Sequence, residues 1–216
     1  MNLIILVAAA VLLAGLLTAE KKKSLKGKLL TKPLASLLFI LAAAVQQHPL
    51  PAYYTWVLAG LVFCLGGDVC LALPQRPAFL VGLVSFLIGH VMYVVAFAQI
   101  SPLRLWASAG TACVVGVSAG VYLWLRPHLG KMAGPVIAYV LIISLMLIGA
   151  VGVFRAGGLR PQGQWMILIG AFLFYVSDLF VARQRFVTEA FLNRAVGLPL
   201  YYSGQFLLAF SVGAIF

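Results

Sequence analysis

Long apolar runs, separated by short polar or proline-containing segments, dominate this sequence. A helix needs roughly 17 to 25 residues to cross about 30 Å of hydrocarbon, and most of the runs have about that length. The alternation of apolar and polar residues that typifies a membrane β-barrel does not occur. The runs predict eight spans, at 2–18, 33–46, 52–72, 79–99, 103–125, 132–154, 163–183 and 197–215. We therefore expect an all-α polytopic membrane protein, a bundle of about eight transmembrane helices that forms a single domain over 1–216.

Composition agrees with this fold class, since 64% of the 216 residues are hydrophobic and only 9% are charged. A soluble domain averages roughly 45 to 50% apolar residues. The second run is the shortest, and its helix could begin near Leu29. Cys64, Cys70 and Cys113 all lie in apolar runs without CxxC spacing, so the cysteines indicate neither a disulfide framework nor a zinc site. The sequence predicts no metal and no cofactor.

The positive charges are unevenly distributed between the predicted loops. The net charge is +11, and basic residues concentrate on the cytoplasmic side of membrane proteins. With eight spans, twelve basic residues fall on the side of the first loop and three on the other, namely Arg104, Arg155 and Arg160. We therefore expect that loop, "EKKKSLKGKLLTK", to be cytoplasmic and both termini to be non-cytoplasmic. The expected partners of this charge are membrane lipids, not nucleic acid.

Two of the four acidic residues lie inside apolar runs: Asp68 in "LGGDVCL" and Asp178 in "YVSDLF". A carboxylate in the bilayer costs roughly 2.5 to 3.5 kcal/mol on insertion scales, and such residues normally face the interior of the bundle. The segments 59–76 and 169–186 align without gaps, which we interpret as a weak internal repeat. The two aspartates then lie at equal depth near the cytoplasmic ends of parallel spans, and we expect them to share one site. The alternative is that each aspartate extends to the membrane interface or pairs with a neighbouring arginine, such as Arg76 or Arg183.

Other polar residues are predicted near that depth. Lys32 precedes Pro33, which we place in the first helical turn, where proline is tolerated. Tyr201 and Gln205 are four residues apart and so share one helical face. Lys32 could instead be an interfacial anchor, the two tyrosines of the last span part of an aromatic belt and His90 a packing residue, whereas an aromatic belt does not explain Gln205. The predicted substrate-binding residues are Lys32, His90, Tyr93, Tyr201, Tyr202 and Gln205.

Five motifs occur in a fixed order along the chain: "TKPL", "LGGDVCL", "GHVMY", "YVSDLF" and "YYSGQFLL". Together they resemble the YhhN-like lysoplasmalogenase family, from Lys32 to Gln205. Characterised members of that family hydrolyse the vinyl ether bond of lysoplasmalogens to a fatty aldehyde and a glycerophospho-alcohol. The resemblance implies a lysophospholipid substrate and a catalytic role for Asp68 and Asp178.

Vinyl ether hydrolysis begins with slow protonation at carbon and proceeds through an oxocarbenium ion. It needs an acid that keeps its proton near neutral pH, which burial beside a second carboxylate favours. The ionised partner could stabilise the cation and orient water. Because coupled acids titrate as a pair, the sequence leaves open which aspartate is the acid.

Three other functions remain compatible with two intramembrane acids. A proton- or cation-coupled transporter would use Asp68 and Asp178 as ion sites. An intramembrane aspartyl protease would also need two aspartates, although "LGGD" departs from the GxGD pattern of that class. A structural membrane protein would have little reason to bury two carboxylates.

Overall fold

The computed structural model describes residues 1–216, apart from the side chain of Arg76. The chain folds into eight α-helices, with short 3₁₀ turns at Leu103–Leu105 and Gly130–Met132 and a π-helical turn at Arg183–Val187. The helices are α1 (Asn2–Lys21), α2 (Leu25–Ala44), α3 (Pro51–Ala72), α4 (Arg76–Ile100), α5 (Ala109–Leu129), α6 (Ala133–Phe154), α7 (Pro161–Ala182) and α8 (Phe191–Ala214).

Seven helical stretches in the described residues are long and apolar enough to cross a membrane, and one of them, Ala109–Phe154, contains both α5 and α6. This stretch folds back on itself at Gly130, whose φ of 49° lies in the left-handed region that glycine tolerates. Ser118 on α5 and Ser144 on α6 are hydrogen-bonded at 2.6 Å between their Oγ atoms. The stretch is therefore a hairpin, which agrees with the prediction of about eight helices. The chain is an integral, multi-pass membrane protein.

The second helix begins earlier than the apolar run predicts. Ser24 caps α2, because its Oγ accepts a hydrogen bond from the Gly27 amide at 3.2 Å. Pro33 consequently lies in the helix interior, and the prediction that it occupies the first turn is wrong. Proline lacks an N–H and cannot complete the intrahelical ladder at this point. The last helix likewise begins before the predicted 197, at Phe191.

Close packing brings the two aspartate-bearing helices against their successors. On α3, a Cβ at Gly60 would lie 2.6 Å from Cε1 of Tyr93 on α4. On α7, a Cβ at Gly170 would lie 3.0 Å from the carbonyl oxygen of Gly204 on α8. Both distances are shorter than ordinary side-chain contacts, so a larger residue would push the helices apart. These glycines therefore allow the close α3–α4 and α7–α8 pairs that position the acids.

Candidate functional site

Asp68 and Asp178 each lie four residues before the last residue of their helix, Ala72 of α3 and Ala182 of α7. Both carboxylates line one cavity, together with Lys32, Tyr139 and Tyr201. The rest of its wall is largely apolar. The apolar wall includes Leu83, Phe86, Val121, Leu125, Val136 and Ile143. The cavity is therefore a mostly apolar pocket in which a few polar groups surround two acids, a composition that is common in ligand sites.

Asp68 is fully buried and surrounded by donors. Lys32 Nζ lies 3.0 Å from Oδ1 of Asp68, and both side chains are buried. The hydroxyls of Ser36 and Tyr201 each donate a hydrogen bond to Oδ2 at 2.6 Å. A buried carboxylate is costly unless it is paired and hydrogen-bonded. Both conditions are met at Asp68.

The helix α2 supplies two of these partners from one face. Ser36 lies four residues after Lys32, and its Oγ, which donates to Asp68, also lies 3.0 Å from the Lys32 carbonyl oxygen. Tyr202 OH donates to that same carbonyl oxygen at 3.2 Å. Tyr201 therefore contacts the Lys32–Asp68 pair at the carboxylate, and Tyr202 contacts it at the backbone of the lysine.

Asp178 has fewer partners and is partly exposed, with 16% of its side-chain surface accessible. Tyr139 OH donates a hydrogen bond to its Oδ2 at 2.6 Å. His90 Nε2 lies 3.8 Å from the same oxygen, which is too far for a hydrogen bond. Among the side chains that the structure describes, no lysine or arginine forms an ion pair with Asp178.

The orientation of His90 is set by its own helix. Its Nδ1 lies 2.7 Å from the carbonyl oxygen of Phe86. A carbonyl only accepts, so Nδ1 carries the proton in the neutral ring and Nε2 is left as an acceptor. This Nε2 is buried and has no hydrogen-bond partner among the described residues. His90 therefore holds a free acceptor beside Asp178.

The predicted site residues fall into two groups. Lys32, Asp68, Asp178 and Tyr201 line the cavity. The other four, which in the described structure do not line it, are Tyr202, His90, Tyr93 and Gln205.

Tyr93 and Gln205 instead pair with each other, because Tyr93 OH donates to Oε1 of Gln205 at 2.7 Å. The Nε2 of Gln205 is buried without a partner in the described part of the chain. Both side chains are fully buried. This pair therefore lies within the packed core, and its predicted contact with substrate remains a prediction.

The alternative in which arginines neutralise the aspartates is not seen at the described side chains. Arg183 donates to Oδ1 of Asn193 at 2.6 Å instead, and the side chain of Arg76 lies outside the described part of the structure. Lys32, which the sequence predicts to bind substrate, is the counter-ion of Asp68 in the structure, and its contact with substrate stays a prediction.

Sequence reasoning missed two residues that touch the acids, Ser36 and Tyr139. Each carried a usable signal. Ser36 shares a helical face with Lys32 at i+4. Tyr139 lies less than two turns from the start of α6, the same depth that singled out Tyr201. Applying the depth criterion to every span would have found both.

The chain is similar to known proteins over the region that contains the site. The sequence model of the YhhN family matches residues 27–212, a range that includes both aspartates and all their partners. The chain belongs to the YhhN family. No solved structure matches it.

This YhhN-family chain is similar to several named proteins. It is 32% identical over 176 residues to "Lysoplasmalogenase" of Mycobacterium bovis, covering 78% of this chain and 63% of that protein. It is 36% identical over 160 residues to "Lysoplasmalogenase TMEM86B" of Rattus norvegicus, covering 73% and 62%. It is 26% identical over 185 residues to "Uncharacterized membrane protein YhhN" of Escherichia coli, covering 84% and 85%. The match thus spans less than two thirds of the length of these two lysoplasmalogenases.

Proposed function

We propose that this protein is a membrane-embedded hydrolase that cleaves the vinyl ether bond of lysoplasmalogens by acid–base catalysis with Asp178 and Asp68. The observation that carries the proposal is the pair of carboxylates on one apolar cavity, each with a different set of partners. The names of its mycobacterial and mammalian relatives support the substrate class. The products would be a fatty aldehyde and a glycerophospho-alcohol.

The lining of the cavity suits a single-chain lipid. An alkenyl chain is apolar and gains roughly 0.8 kcal/mol for each methylene removed from water. The wall formed by α4, α5 and α6 offers such a surface, while the polar groups gather around the two carboxylates. A lysolipid would place its chain against the apolar wall and its vinyl ether beside the acids.

The partners of the two aspartates suggest their roles. Asp68 has a lysine counter-ion and two hydroxyl donors, an arrangement suited to an ionised carboxylate. Asp178 has one hydroxyl donor, a free histidine acceptor nearby and no described cation. That arrangement suits a neutral carboxyl whose proton is available. We assign Asp178 as the acid and Asp68 as the anion that stabilises developing positive charge.

The reaction balances with these two groups and one water. Asp178 gives its proton to the vinyl carbon remote from the ether oxygen, which leaves an oxocarbenium ion and the Asp178 carboxylate. Water attacks the cationic carbon, and its proton returns to Asp178 as a hemiacetal forms. The hemiacetal hydroxyl then loses its proton while the glycerol oxygen gains one, and the C–O bond breaks. The ionised Asp68 stabilises the cation electrostatically throughout, as preorganised charges do in enzyme sites.

The orientation of the protein is part of this proposal. The twelve basic residues on one side and three on the other support a cytoplasmic location for the end of the bundle that carries the α1–α2 turn, hereafter the lysine-rich end. Asp68 and Asp178 lie towards that end, since Lys32 of α2 contacts Asp68. Both termini would then be non-cytoplasmic. Membrane-impermeant labelling of cysteines introduced at residue 2 and at residue 23 tests this, with labelling from outside expected only at residue 2.

The central experiment measures aldehyde release by the detergent-purified protein. Three lysolipids with the same headgroup would be compared, carrying a vinyl ether, a saturated alkyl ether or an ester at the first glycerol carbon. Only the vinyl ether can be protonated at carbon, so only this lipid should yield aldehyde. A protein that binds the lipid without consuming it would contradict hydrolysis and favour the coupled transporter.

A further inference from the structure

A second, polar pocket adjoins the catalytic cavity at the lysine-rich end. Three cationic side chains, Lys28, Arg185 and Arg194, line it together with the carboxylate of Glu189. Leu71, Phe79, Val181, Phe186 and Arg194 line both spaces. The two spaces are therefore neighbours that share these side chains.

Two arginines stand at the junction between the two spaces. The guanidinium carbon of Arg185 lies 4.3 Å from the centroid of the Phe79 ring, a cation–π contact that holds this side chain at the shared wall. Arg194 lies in the first turn of α8, and its Nε is 4.0 Å from Oε2 of Glu20. Its side chain is about a quarter exposed. Both planar cations are therefore positioned at the wall that the two spaces share.

These cations differ from the arginines that serve the fold. Arg183 donates to Asn193, and Arg155 donates to the carbonyl oxygens of Leu105 and Ala107. Within the described structure, the side chains of Lys28, Arg185 and Arg194 are not seen to donate a hydrogen bond to protein, and Arg194 has only the 4.0 Å ion pair with Glu20. Their donors thus remain available to a ligand.

We propose that the polar pocket binds the phosphate of a lysophospholipid headgroup through Arg185, Arg194 and Lys28. This inference rests on the proposed function and names the subsite that recognises the substrate head. Arginine matches phosphate oxygens with its planar fork of donors, and lysine contributes a point charge. Lys32 does not serve this purpose, because its ammonium is committed to Asp68.

The positions of the chain, the vinyl ether and the headgroup follow from this proposal, because the apolar cavity and the polar pocket adjoin each other. The alkenyl chain occupies the apolar cavity, the vinyl ether lies at the aspartates, and the glycerol backbone passes the junction to the phosphate. Glu189 adds one carboxylate to the polar pocket, which suits a headgroup that also carries an ammonium, such as ethanolamine or choline. A headgroup without an amine would meet this carboxylate unpaired.

Kinetics on two vinyl ether substrates test the subsite. One substrate is an alkenyl-glycerophosphoethanolamine, and the other is the matching alkenyl-glycerol, which lacks the phosphate. In neutral detergent, Arg185→Gln/Arg194→Gln should raise KM for the first substrate about tenfold or more and leave KM for the second within about twofold. The effect should fall on KM, since a headgroup contact is made in ground and transition states alike. Arg185→Lys/Arg194→Lys should recover part of the loss.

Arg126→Gln is the matched control, because Arg126 is an exposed residue near the end of α5 that lines neither pocket. Like each of the two substitutions in the double variant, it removes one positive charge, and it should leave both KM values unchanged. Equal KM increases for both substrates, or no increase for the phosphate substrate, would overturn the subsite. So would an effect that appears only in nanodiscs containing anionic lipid, because the arginines would then bind the bilayer surface.

Direct binding separates this inference from the proposed function. The saturated alkyl ether lysolipid has the headgroup but no cleavable bond, so its affinity can be measured on protein with no hydrolytic activity. Weaker binding of this lipid to the double glutamine variant than to the parent supports the subsite even where aldehyde release is absent. Unchanged binding overturns it.

Discussion

The surroundings of Asp68 and Asp178 differ more than their positions in the sequence suggest. Each follows a small residue, lies four residues from a helix end and lines the same cavity. Yet Asp68 receives a lysine and two hydroxyls from α2 and α8. Asp178 receives one hydroxyl from α6 and faces an uncommitted histidine nitrogen of α4. Helices other than the two that carry the acids therefore determine what each carboxylate can do.

The largest expected effect comes from replacing the acids themselves. Asp178→Asn should lower turnover by about 10³- to 10⁴-fold, because general acid catalysis contributes up to about 10⁴. Asp68→Asn should lower it by about 10²- to 10³-fold, the usual loss for one electrostatic contact. Aldehyde release by the folded variants measures both. A variant that keeps a tenth of the turnover has lost only about 1.4 kcal/mol of barrier lowering, and its residue is then not essential.

Removing the counter-ion tests whether Asp68 is ionised. Lys32→Met should reduce the free energy of unfolding by about 3 to 5 kcal/mol, because it leaves an uncompensated buried charge. Adding Asp68→Asn should restore much of that loss, since the amide carries no charge. Reversible denaturation in detergent gives the four values of the double-mutant cycle. Additive effects in the cycle would contradict the ion pair.

The two tyrosines that contact the acids provide a finer comparison. Tyr201→Phe removes a donor from the proposed anion and should cost about 1.5 to 3 kcal/mol of stability, as hydrogen bonds to charged groups do. Tyr139→Phe removes a donor from the proposed neutral acid and should cost about 0.5 to 1.5 kcal/mol. The same denaturation assay compares them. A larger cost for Tyr139→Phe would reverse the assignment of roles.

The smallest effect is expected away from the cavity wall. Tyr93→Phe removes a neutral hydrogen bond to Gln205 and should cost about 1 kcal/mol of stability. Because neither residue lines the cavity, kcat/KM should change by less than about twofold. A tenfold loss in kcat/KM with unchanged stability would instead indicate that Tyr93 binds substrate, as the sequence predicts.

The sequence alone predicted the fold class, the number of helices, the family and the placement of each acid near the end of its helix. The family follows from the motifs, and the other properties follow from the lengths and order of the apolar runs. The start of α2 escaped this reasoning, because Ser24 and the polar first turns extend the helix beyond the apolar run. Hydropathy does not detect a helix end that lies outside the hydrocarbon.

The partners of the acids were decided by the tertiary structure. These partners depend on how each helix is rotated and on which helices are its neighbours. Examples are the Lys32–Asp68 pair, the hydrogen bond from Tyr139 to Asp178, and the burial of Tyr93 and Gln205 in the core. Rotation is fixed by packing, as where Gly60 admits Tyr93 and Gly170 admits the backbone of α8. These contacts join residues far apart in the chain, and the hydropathy of a single span carries no information about them.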